Sequence, residues 1–385
     1  MLSESAFFEM KLKVLLLSSD EKTVRILRRV LSDLEIEVEH CSLFEDGIRQ
    51  LTRRRFEAIV VDCTNSEKAS GVVRAAKAAP VNKRALSIML VESTVGLKGG
   101  FDMGAHFVLH KPLSVERAKA SFRAVRALMK HERRRQLRVP VQVPIECVGV
   151  RRYHARTLDL CEGGMAIKFT GRVARESALR FSLELPSADK KLEIWGEVAW
   201  EGQGDQAGVR FKNVTEDQRH TLRNWLNRHL PELEPDDPPV VCRLTNVSLG
   251  GCYLTSTSPF PKATRVILSM RSVEPEVCVA GIVRISHPEF GMGVEFVQST
   301  AGLQDQARRM TEILQAGGEP AEIHVHPDGM DSSSSDETGA ALSVPHANDV
   351  LLDLFRQHSQ VPVDVFLQQM QQRHPQGRAE NGAIQ

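Results

Sequence analysis

The stretch LDLCEGGMAI, at residues 158–167, returns in altered form as TNVSLGGCYL at residues 245–254, with glycine pairs and apolar positions in the same order. Two further pairs follow in order: GEVAW (196–200) with GIVRI (281–285), and GVRF (208–211) with GVEF (293–296). The offsets between the copies are 87, 85 and 85 residues. Three matches in order at a nearly constant offset indicate a duplicated domain rather than chance.

Short alternating strands fill the first copy. The segments VQVPIECV, ARTLDL, GMAIKF, LRFSLELP, LEIWGEVAW and AGVRF are separated by turn residues, and a helical stretch, EDQRHTLRNWLNRHL, follows them. Many short strands with this spacing are typical of an antiparallel barrel or sandwich. We therefore predict two antiparallel β domains, each a barrel or a sandwich, over residues 131–230 and 231–317, the second also ending in a helix, GLQDQARRMTEILQ.

Residues 11–130 have a different pattern, in which strands and helices alternate. A buried strand, KVLLLSS, precedes a segment whose apolar residues have helical spacing: Val24, Leu27, Val30, Leu31 and Leu34. Four more strands follow, with helices between them. This alternation predicts a parallel, doubly wound sheet of the flavodoxin-like kind, in which ligands bind at the carboxyl ends of the strands.

The last part of the chain, residues 318–385, is predicted to be a largely disordered linker and an amphipathic tail. GGEPAEIHVHPDGMDSSSSDETGAA is polar and rich in Gly, Ser, Asp and Glu. NDVLLDLFRQHSQVPVDVFLQQMQQR then has helical amphipathic spacing, interrupted at Pro362. Two interpretations stay open for this tail: a segment that frays or docks on its own chain, which we favour, and a helix that binds a partner.

Composition limits the classes of function. The 385 residues hold 50 Lys and Arg against 49 Asp and Glu, so no global charge draws the protein to nucleic acid or membranes. No apolar run is long enough to span a bilayer, and the N-terminus lacks the pattern of a signal peptide. Seven cysteines without paired spacing are typical of reduced thiols. We expect a cytoplasmic protein without membrane insertion and, since no catalytic motif appears, one that is not an enzyme.

Three positions in the N-terminal third resemble response-regulator receiver domains: Asp20 after the first strand, Asp62 at the end of AIVVD, and Lys111 followed by proline. The resemblance implies that Asp62 is a phosphoacceptor assisted by Lys111, with Asp20 as part of an acidic pair that holds Mg²⁺. Two positions depart from the family pattern. Ser19 stands where the first acidic residue of the pair is expected, and Val91 where a hydroxyl residue is expected.

These departures leave two interpretations of Asp62 and Lys111. One is a functional phosphorylation site. The other, which we favour, is a salt bridge inherited by a receiver-like domain that no longer accepts phosphate. Loss of one carboxylate removes charge and a hard oxygen ligand from the Mg²⁺ site, which makes the ion doubtful.

The strand-rich part resembles PilZ domains, the bacterial receptors for cyclic di-GMP. That family carries R-x-x-x-R before its first strand and D/N-x-S-x-x-G at a later one. Here Arg134 and Arg138 match the first half, and Asp159, Cys161 and Gly164 occupy the second. The resemblance implies that these five residues bind cyclic di-GMP.

The chemistry of the ligand agrees with these residue types. The arginine fork matches phosphate oxygens and the O6/N7 edge of guanine, and a carboxylate accepts hydrogen bonds from guanine N–H groups. Cys161 replaces the serine of the motif, and a thiol is a weaker hydrogen-bond donor than a hydroxyl. A different interpretation also stays open: nine basic residues lie between Arg117 and Arg138, and they can form the solvated face of a linking helix or touch nucleic acid.

The second copy keeps the polar half of the motif at Asn246, Ser248 and Gly251 but has no arginine pair before its first strand. The preceding residues, PELEPDDPPVV, are acidic and would repel a dianionic ligand. We therefore predict that the second barrel does not bind cyclic di-GMP.

Three classes of function follow, in order of preference. The first is a second-messenger receptor in which the receiver-like domain regulates or docks the first barrel. The second is a protein–protein adaptor without a small ligand. The third is a DNA-binding regulator acting through the basic linker, which ranks last because the sequence shows no helix-turn-helix pattern. Besides cyclic di-GMP, we expect a protein partner that the sequence does not identify, and we do not expect nucleic acid to be a partner.

Overall fold

The structure, a computed structural model, describes residues 11–92, 95–149, 152–169, 179–187, 191–202, 204–229, 237–270, 277–316, 322–330, 349–357 and 363–373. Contacts divide the chain into two compact units, one formed by residues 132–235 and the other by residues 1–131 together with 236–385. The first unit contains the first barrel. The second contains the N-terminal domain and the second barrel.

The N-terminal domain is a five-stranded parallel sheet with the strand order β2-β1-β3-β4-β5. Its strands are β1 (Leu12–Leu17), β2 (Ile36–Cys41), β3 (Ala58–Asp62), β4 (Leu86–Val91) and β5 (Phe107–His110). Its helices are α1 (Glu21–Asp33), α2 (Phe44–Arg53), α3 (Ser66–Ala78), α4 (Val95–Asp102) and α5 (Val115–Gln136). Strands β3 and β4 are buried along their whole length, as expected for a sheet covered on both faces. The predicted flavodoxin-like order is confirmed.

The first barrel is a closed ring of six antiparallel strands, in the order β8-β7-β10-β11-β12-β9, with β9 pairing back to β8. The ring strands are β7 (Pro144–Val148), β8 (Arg152–Cys161), β9 (Gly164–Phe169), β10 (Leu179–Leu183), β11 (Leu192–Glu201) and β12 (Gln206–Lys212). A short strand, β6 (Val139–Pro140), pairs with β8 outside the ring, and helix α6 (Glu216–His229) follows. The buried side chains of Leu222, Trp225 and Leu226 pack this helix onto the core of the barrel.

The second barrel is also a closed six-stranded ring, in the order β13-β14-β17-β16-β15-β18. Its elements are β13 (Val240–Val247), β14 (Gly251–Thr255), β15 (Thr264–Met270), β16 (Val277–His287), β17 (Gly291–Phe296), α7 (Ala301–Ala316) and β18 (Glu322–Met330). Together with the first ring, it confirms the prediction of two antiparallel β domains and shows that both are barrels. The repeat in the sequence is therefore a repeat of structure.

The two barrels share irregular features as well as strand order. Bulges fall between Thr157 and Asp159 and between Val198 and Trp200 in the first barrel, and between Leu244 and Asn246 and between Val283 and Ile285 in the second. Each of these positions differs from its counterpart by the sequence offset of the repeat. A bulge re-aims the side chains next to it, so the residues around both motifs are presented in the same way.

One strand position in the ring is filled from the N-terminal end of the repeat in the first barrel and from the C-terminal end in the second. In the first barrel β7, which precedes β8 in the chain, lies between β8 and β10. In the second barrel the equivalent place, between β13 and β15, is taken by β18, which follows α7. The second barrel is thus a circular permutation of the first. The segment that enters this strand position is accordingly a different part of the sequence in each barrel.

This permutation corrects the predicted end of the second barrel at residue 317. The barrel is completed by β18, whose Ile323 and Val325 are buried in the core. Sequence reasoning missed this strand because Pro327 and Gly329 lie within it, and such residues normally weaken a strand assignment. Two helices, α8 (Val350–Gln357) and α9 (Val363–Arg373), follow. The other residues of the predicted disordered tail, 318–321, 331–348, 358–362 and 374–385, lie outside the described residues.

Ion pairs join the N-terminal domain to the second barrel within their shared unit. Asp237, just before β13, accepts hydrogen bonds from Arg126 at 2.6 Å and from Lys130 at 2.8 Å, and Arg117 pairs with Glu289 at 3.5 Å. Asp237 is one of the acidic residues that we expected to repel an anionic ligand. It lies mostly buried against these two cations, so its charge is compensated.

Candidate functional site

The arginine-rich stretch spans the end of helix α5. Arg133, Arg134 and Arg135 lie in its last turn, where cations interact favourably with the carboxyl end of the helix dipole. The N–H of Leu137 donates to the carbonyl of Arg134 at 3.1 Å and closes that turn. Arg138 lies beyond the helix and directly before β6. The two arginines of the motif are therefore placed by different elements.

The structure brings Arg138 together with Asp159, across 21 residues of sequence. Strand β6 pairs with β8 so that Val139 lies opposite Leu160, which carries Arg138 to the end of β8. The Arg138 guanidinium donates a hydrogen bond to Asp159 Oδ1, which also accepts from the N–H of Ala166 at 3.1 Å. The side chains of Arg138 and Asp159 are 42% and 29% exposed. The two halves of the predicted motif thus meet at a place that solvent reaches.

A buried charge cluster stands beside this pair, and the sequence did not reveal it. Glu162, inside the DLCEGG stretch, lies 3.4 Å from the Arg135 guanidinium and accepts a hydrogen bond from Arg223 at 3.2 Å. Arg135 also donates to Glu132 at 3.0 Å. Two carboxylates and two guanidinium groups compensate one another here. Arg135 is consequently committed to the fold, whereas Arg138 contacts Asp159.

Gly164 has a structural reason to be glycine. A Cβ at this position would lie 2.1 Å from the carbonyl oxygen of Val209 on the neighbouring strand, closer than atoms can approach. Gly251 in the second barrel has the same constraint, at 2.4 Å from the carbonyl oxygen of Val294. Both glycines permit β9 and β14 to pair closely with the next strand. A role of Gly164 in ligand binding stays a prediction.

Cys161 is buried at the end of β8, opposite Gly164 in the hairpin. In the second barrel, Ser248 occupies this place. The Ser248 Oγ accepts a hydrogen bond from the Gly251 N–H at 3.2 Å, and the Ser248 N–H donates to the Gly251 carbonyl at 2.8 Å. The residue at this position therefore helps to shape the turn that carries the motif.

In the N-terminal domain, Asp62 and Lys111 lie together at the carboxyl edge of the sheet, as the resemblance implied. The Lys111 Nζ donates to both carboxylate oxygens of Asp62, at 2.9 and 3.0 Å. The hydroxyl of Ser18 donates to Asp62 Oδ2 at 2.7 Å. All three groups are largely buried. Asp62 is therefore held by a lysine and a hydroxyl, and sequence reasoning missed the role of Ser18.

Asp20 lies at the amino end of helix α1, and its implied part in holding Mg²⁺ stays a prediction. Its carboxylate caps helix α1, because it accepts from the Thr23 hydroxyl at 2.6 Å and from the Lys22 N–H at 3.1 Å. The hydrogen bond from Thr23, together with the nearby Lys22 N–H and Lys111, lowers the pKa of Asp20. Ser19 is exposed, and Val91 is buried at the end of β4.

These donors do not match the acidic pair that a receiver-type Mg²⁺ site requires. The Asp62 carboxylate is already bound to an ammonium group, and the oxygens of Asp20 are used in the helix cap. Within the described ranges, no group of three or more His, Cys, Asp or Glu side chains is arranged to hold a metal ion. None of the helices in those ranges is long and apolar enough to cross a membrane.

Comparison with known proteins finds similarities to the first barrel. Residues 132–228 match the PilZ domain family model. The structure is similar to the PilZ domain of CeSA from a cellulose-synthesising bacterium, with 16% identity and a TM-score of 0.21, over 24% of this chain and 97% of that one. No curated protein matches the sequence.

The N-terminal domain is similar to receiver structures. The chemotaxis response regulator CheY4 of Vibrio cholerae has 22% identity and a TM-score of 0.28, over 30% of this chain and 98% of that one. The receiver domain of the sensor histidine kinase PA1611 from Pseudomonas aeruginosa has 21% identity and a TM-score of 0.25, over 28% of this chain and 89% of that one. These similarities concern the fold alone.

Proposed function

We propose that this protein is a cytoplasmic, non-enzymatic receptor that binds cyclic di-GMP at the first barrel. The observation that supports it is the contact between Arg138 and Asp159, which joins the two halves of the motif within one PilZ domain. Arg134, in the last turn of α5, adds a second cation just before the barrel. Cys161 and Gly164 complete the site at the hairpin.

When the ligand binds, Arg138 and Asp159 exchange their contact with each other for contacts with the ligand. Both side chains reach solvent, and an exposed ion pair is worth only about 0–1 kcal/mol. A ligand phosphate takes the guanidinium, while guanine N–H groups take the carboxylate, each in a charge-assisted hydrogen bond worth about 1.5–3 kcal/mol. Breaking the pair therefore costs less than the bonds that replace it.

Equilibrium dialysis with labelled cyclic di-GMP tests this site. Arg138→Ala and Asp159→Ala should each weaken binding by about tenfold or more, since each removes a charge-assisted bond. Arg180→Ala is the matched control, because Arg180 lies on β10 of the same barrel, is similarly exposed and pairs with Glu193. The control should bind like the parent chain. Equal binding by all variants would show that the ligand does not use this motif.

An adaptor without a small ligand is the alternative function. Trp195 and Trp200, both on β11, are 46% and 47% exposed on the first barrel. Exposed tryptophans of this kind are enriched at protein–protein interfaces. Failure of the parent chain to bind cyclic di-GMP, with loss of partner capture in Trp195→Ala, would favour this alternative.

We further propose that the receiver-like domain acts as a regulatory or docking module that is a poor phosphoacceptor. The support is Ser19 in place of the first acidic residue, Val91 in place of the hydroxyl residue, and the helix cap that uses the Asp20 carboxylate. Incubation with a small phosphodonor and Mg²⁺, followed by intact-mass measurement, should show no stoichiometric modification. Rapid modification that Asp62→Asn abolishes would contradict the proposal.

A further inference from the structure

The motif turn of the second barrel is covered by the C-terminal segment of the chain. The N–H of Gly250, in the turn between β13 and β14, donates to Asp349 Oδ2 at 2.9 Å. A Cβ on Gly250 would lie 2.5 Å from Leu352 Cδ1 and 2.7 Å from Asp349 Oδ2. This is the turn that corresponds to the DLCEGG stretch of the first barrel. Here a carboxylate and a leucine of the same chain contact it.

Asp349 connects the turn to helix α8. While Oδ2 accepts from Gly250, Oδ1 accepts from the N–H groups of Leu351 and Leu352 at 3.1 and 3.2 Å. The residue is therefore the N-cap of α8, and its charge is stabilised by the amino end of the helix. One side chain thus fixes both the start of the helix and its position on the barrel.

The apolar face of α8 fits the barrel beside the turn. Four residues at helical spacing, Leu351, Leu352, Leu354 and Phe355, are buried in one cluster with Tyr253 and Ile285. The space for Phe355 exists because residue 293 is glycine, where a Cβ would lie 2.6 Å from the phenylalanine ring. Helix α9 adds Phe366 and Met370 to the same cluster. This hydrophobic contact supplies most of the affinity of the helix for the barrel. The bond from Gly250 to Asp349 fixes where the helix starts relative to the turn.

We propose that this face of the second barrel, from the Gly250 turn to Gly293, is a helix-binding site. Its ligand is an amphipathic helix that starts with an aspartate cap and carries apolar residues at positions +2, +3, +5 and +6 from that aspartate. Residues 349–357 and 363–373 of the same chain occupy it as a separable ligand. Because this ligand belongs to the same chain as the barrel, its binding is intramolecular, and it fills the site in the intact protein.

The site is independent of cyclic di-GMP binding by the first barrel, and its test uses the full chain. A recognition sequence for a specific protease is inserted between residues 340 and 341, and the folded protein is cut there. We expect the fragment from residue 341 onward to remain bound and to exchange with a fluorescent synthetic peptide of residues 347–374. Fluorescence anisotropy should show saturable binding at one site per chain, while the uncut protein should not bind the peptide.

Matched variants locate the contact. Asp349→Ala in the peptide should weaken binding by about tenfold, because it removes a charged acceptor from the turn and from the cap. Asp353→Ala is the control, since the Asp353 side chain is 46% exposed and pairs with Arg356 on the same helix. On the barrel, Gly250→Ala should weaken binding, and Gly302→Ala, where a Cβ meets nothing within 4 Å, should not.

Three results would overturn the proposal. The first is prompt loss of the fragment after cleavage with no rebinding of the peptide to a barrel that is still folded by circular dichroism. The second is unfolding of the barrel when the fragment leaves, which would make the segment a part of the core and not a ligand. The third is an equal effect of Asp349→Ala and Asp353→Ala.

Discussion

The first and second barrels have the same ring of strands and the same two bulges, yet their motif turns meet opposite kinds of partner. In the first barrel, a guanidinium from the segment before β6 contacts the carboxylate of Asp159. In the second barrel, the carboxylate of Asp349, the N-cap of α8, contacts the backbone of Gly250. The comparison shows that function depends on the segment brought to the turn, since the fold is common to both.

The permuted strand explains the difference. Strand β7 of the first barrel follows the arginine-rich end of α5, so cations come close to the motif. Strand β18 takes the same position in the second barrel, and the residues before it, GGEPA, contain no arginine. The second barrel thus lacks the cationic half of the motif for a topological reason. This supports the prediction that it does not bind cyclic di-GMP and replaces the reason first given, the acidic stretch before β13.

The largest effect should come from a cavity in the apolar cluster that the second barrel forms with α8 and α9. Phe366 is 0% exposed, whereas its neighbour Val365 on the same helix is 41% exposed. Phe366→Ala should lower the free energy of unfolding by about 3–5 kcal/mol, because it leaves a cavity, and Val365→Ala should change it little. Denaturant unfolding followed by circular dichroism measures this difference.

Tryptophan fluorescence provides the internal control for that experiment. All three tryptophans, Trp195, Trp200 and Trp225, lie in the first barrel. The fluorescence transition should therefore keep its midpoint in Phe366→Ala while the circular dichroism transition moves. A common shift of both signals would show that the two barrels unfold together.

A smaller effect should follow from pH in the same cluster. His287 is buried beside Phe366 and bonds the Tyr253 hydroxyl at 2.9 Å, and burial lowers the pKa of His287 from 6.5 to about 4. Because the unfolded chain takes up this proton first, stability is complete above about pH 6.5 and falls as the pH drops towards 4. The loss should be about 3 kcal/mol. His287→Gln should remove that part of the pH dependence. If the free energy of unfolding of the variant changed with pH as in the parent chain, the effect would not come from His287.

The smallest effect should come from making the first turn more like the second. Cys161→Ser supplies a hydroxyl where Ser248 accepts a hydrogen bond from a glycine N–H in the other barrel. We expect equal or slightly tighter cyclic di-GMP binding, with a gain of about 1 kcal/mol at most. Titration of the variant measures this. Marked weakening would mean that the thiol has a role of its own.

Local patterns predicted most of the fold. The alternation of strands and helices gave the order of the N-terminal sheet, and the repeat gave both barrels. The motif assigned Arg138 and Asp159 to one site, but their direct contact was not predicted, and their role in ligand binding stays a prediction. Strand β18 was missed because its closure of the ring depends on partners about 80 residues away, such as Cys242, while Pro327 and Gly329 hide its strand character.

The charge pairing around the site could not be read from spacing. Glu162 lies within the motif, but its partners Arg135 and Arg223 come from two different helices that meet only in the fold. Ser18 was overlooked because the family pattern directs attention to positions 19 and 20. In both cases the functional meaning of a residue depends on which side chains the folded barrel or sheet places beside it.

Isothermal titration calorimetry of the full chain with cyclic di-GMP tests the central claim most directly. We predict one binding site per chain, which Arg138→Ala weakens by about tenfold or more and which the double variant Asn246→Ala and Ser248→Ala leaves unchanged. No binding by the parent chain, or two sites of which one disappears in the double variant, would contradict the assignment of the ligand to the first barrel alone.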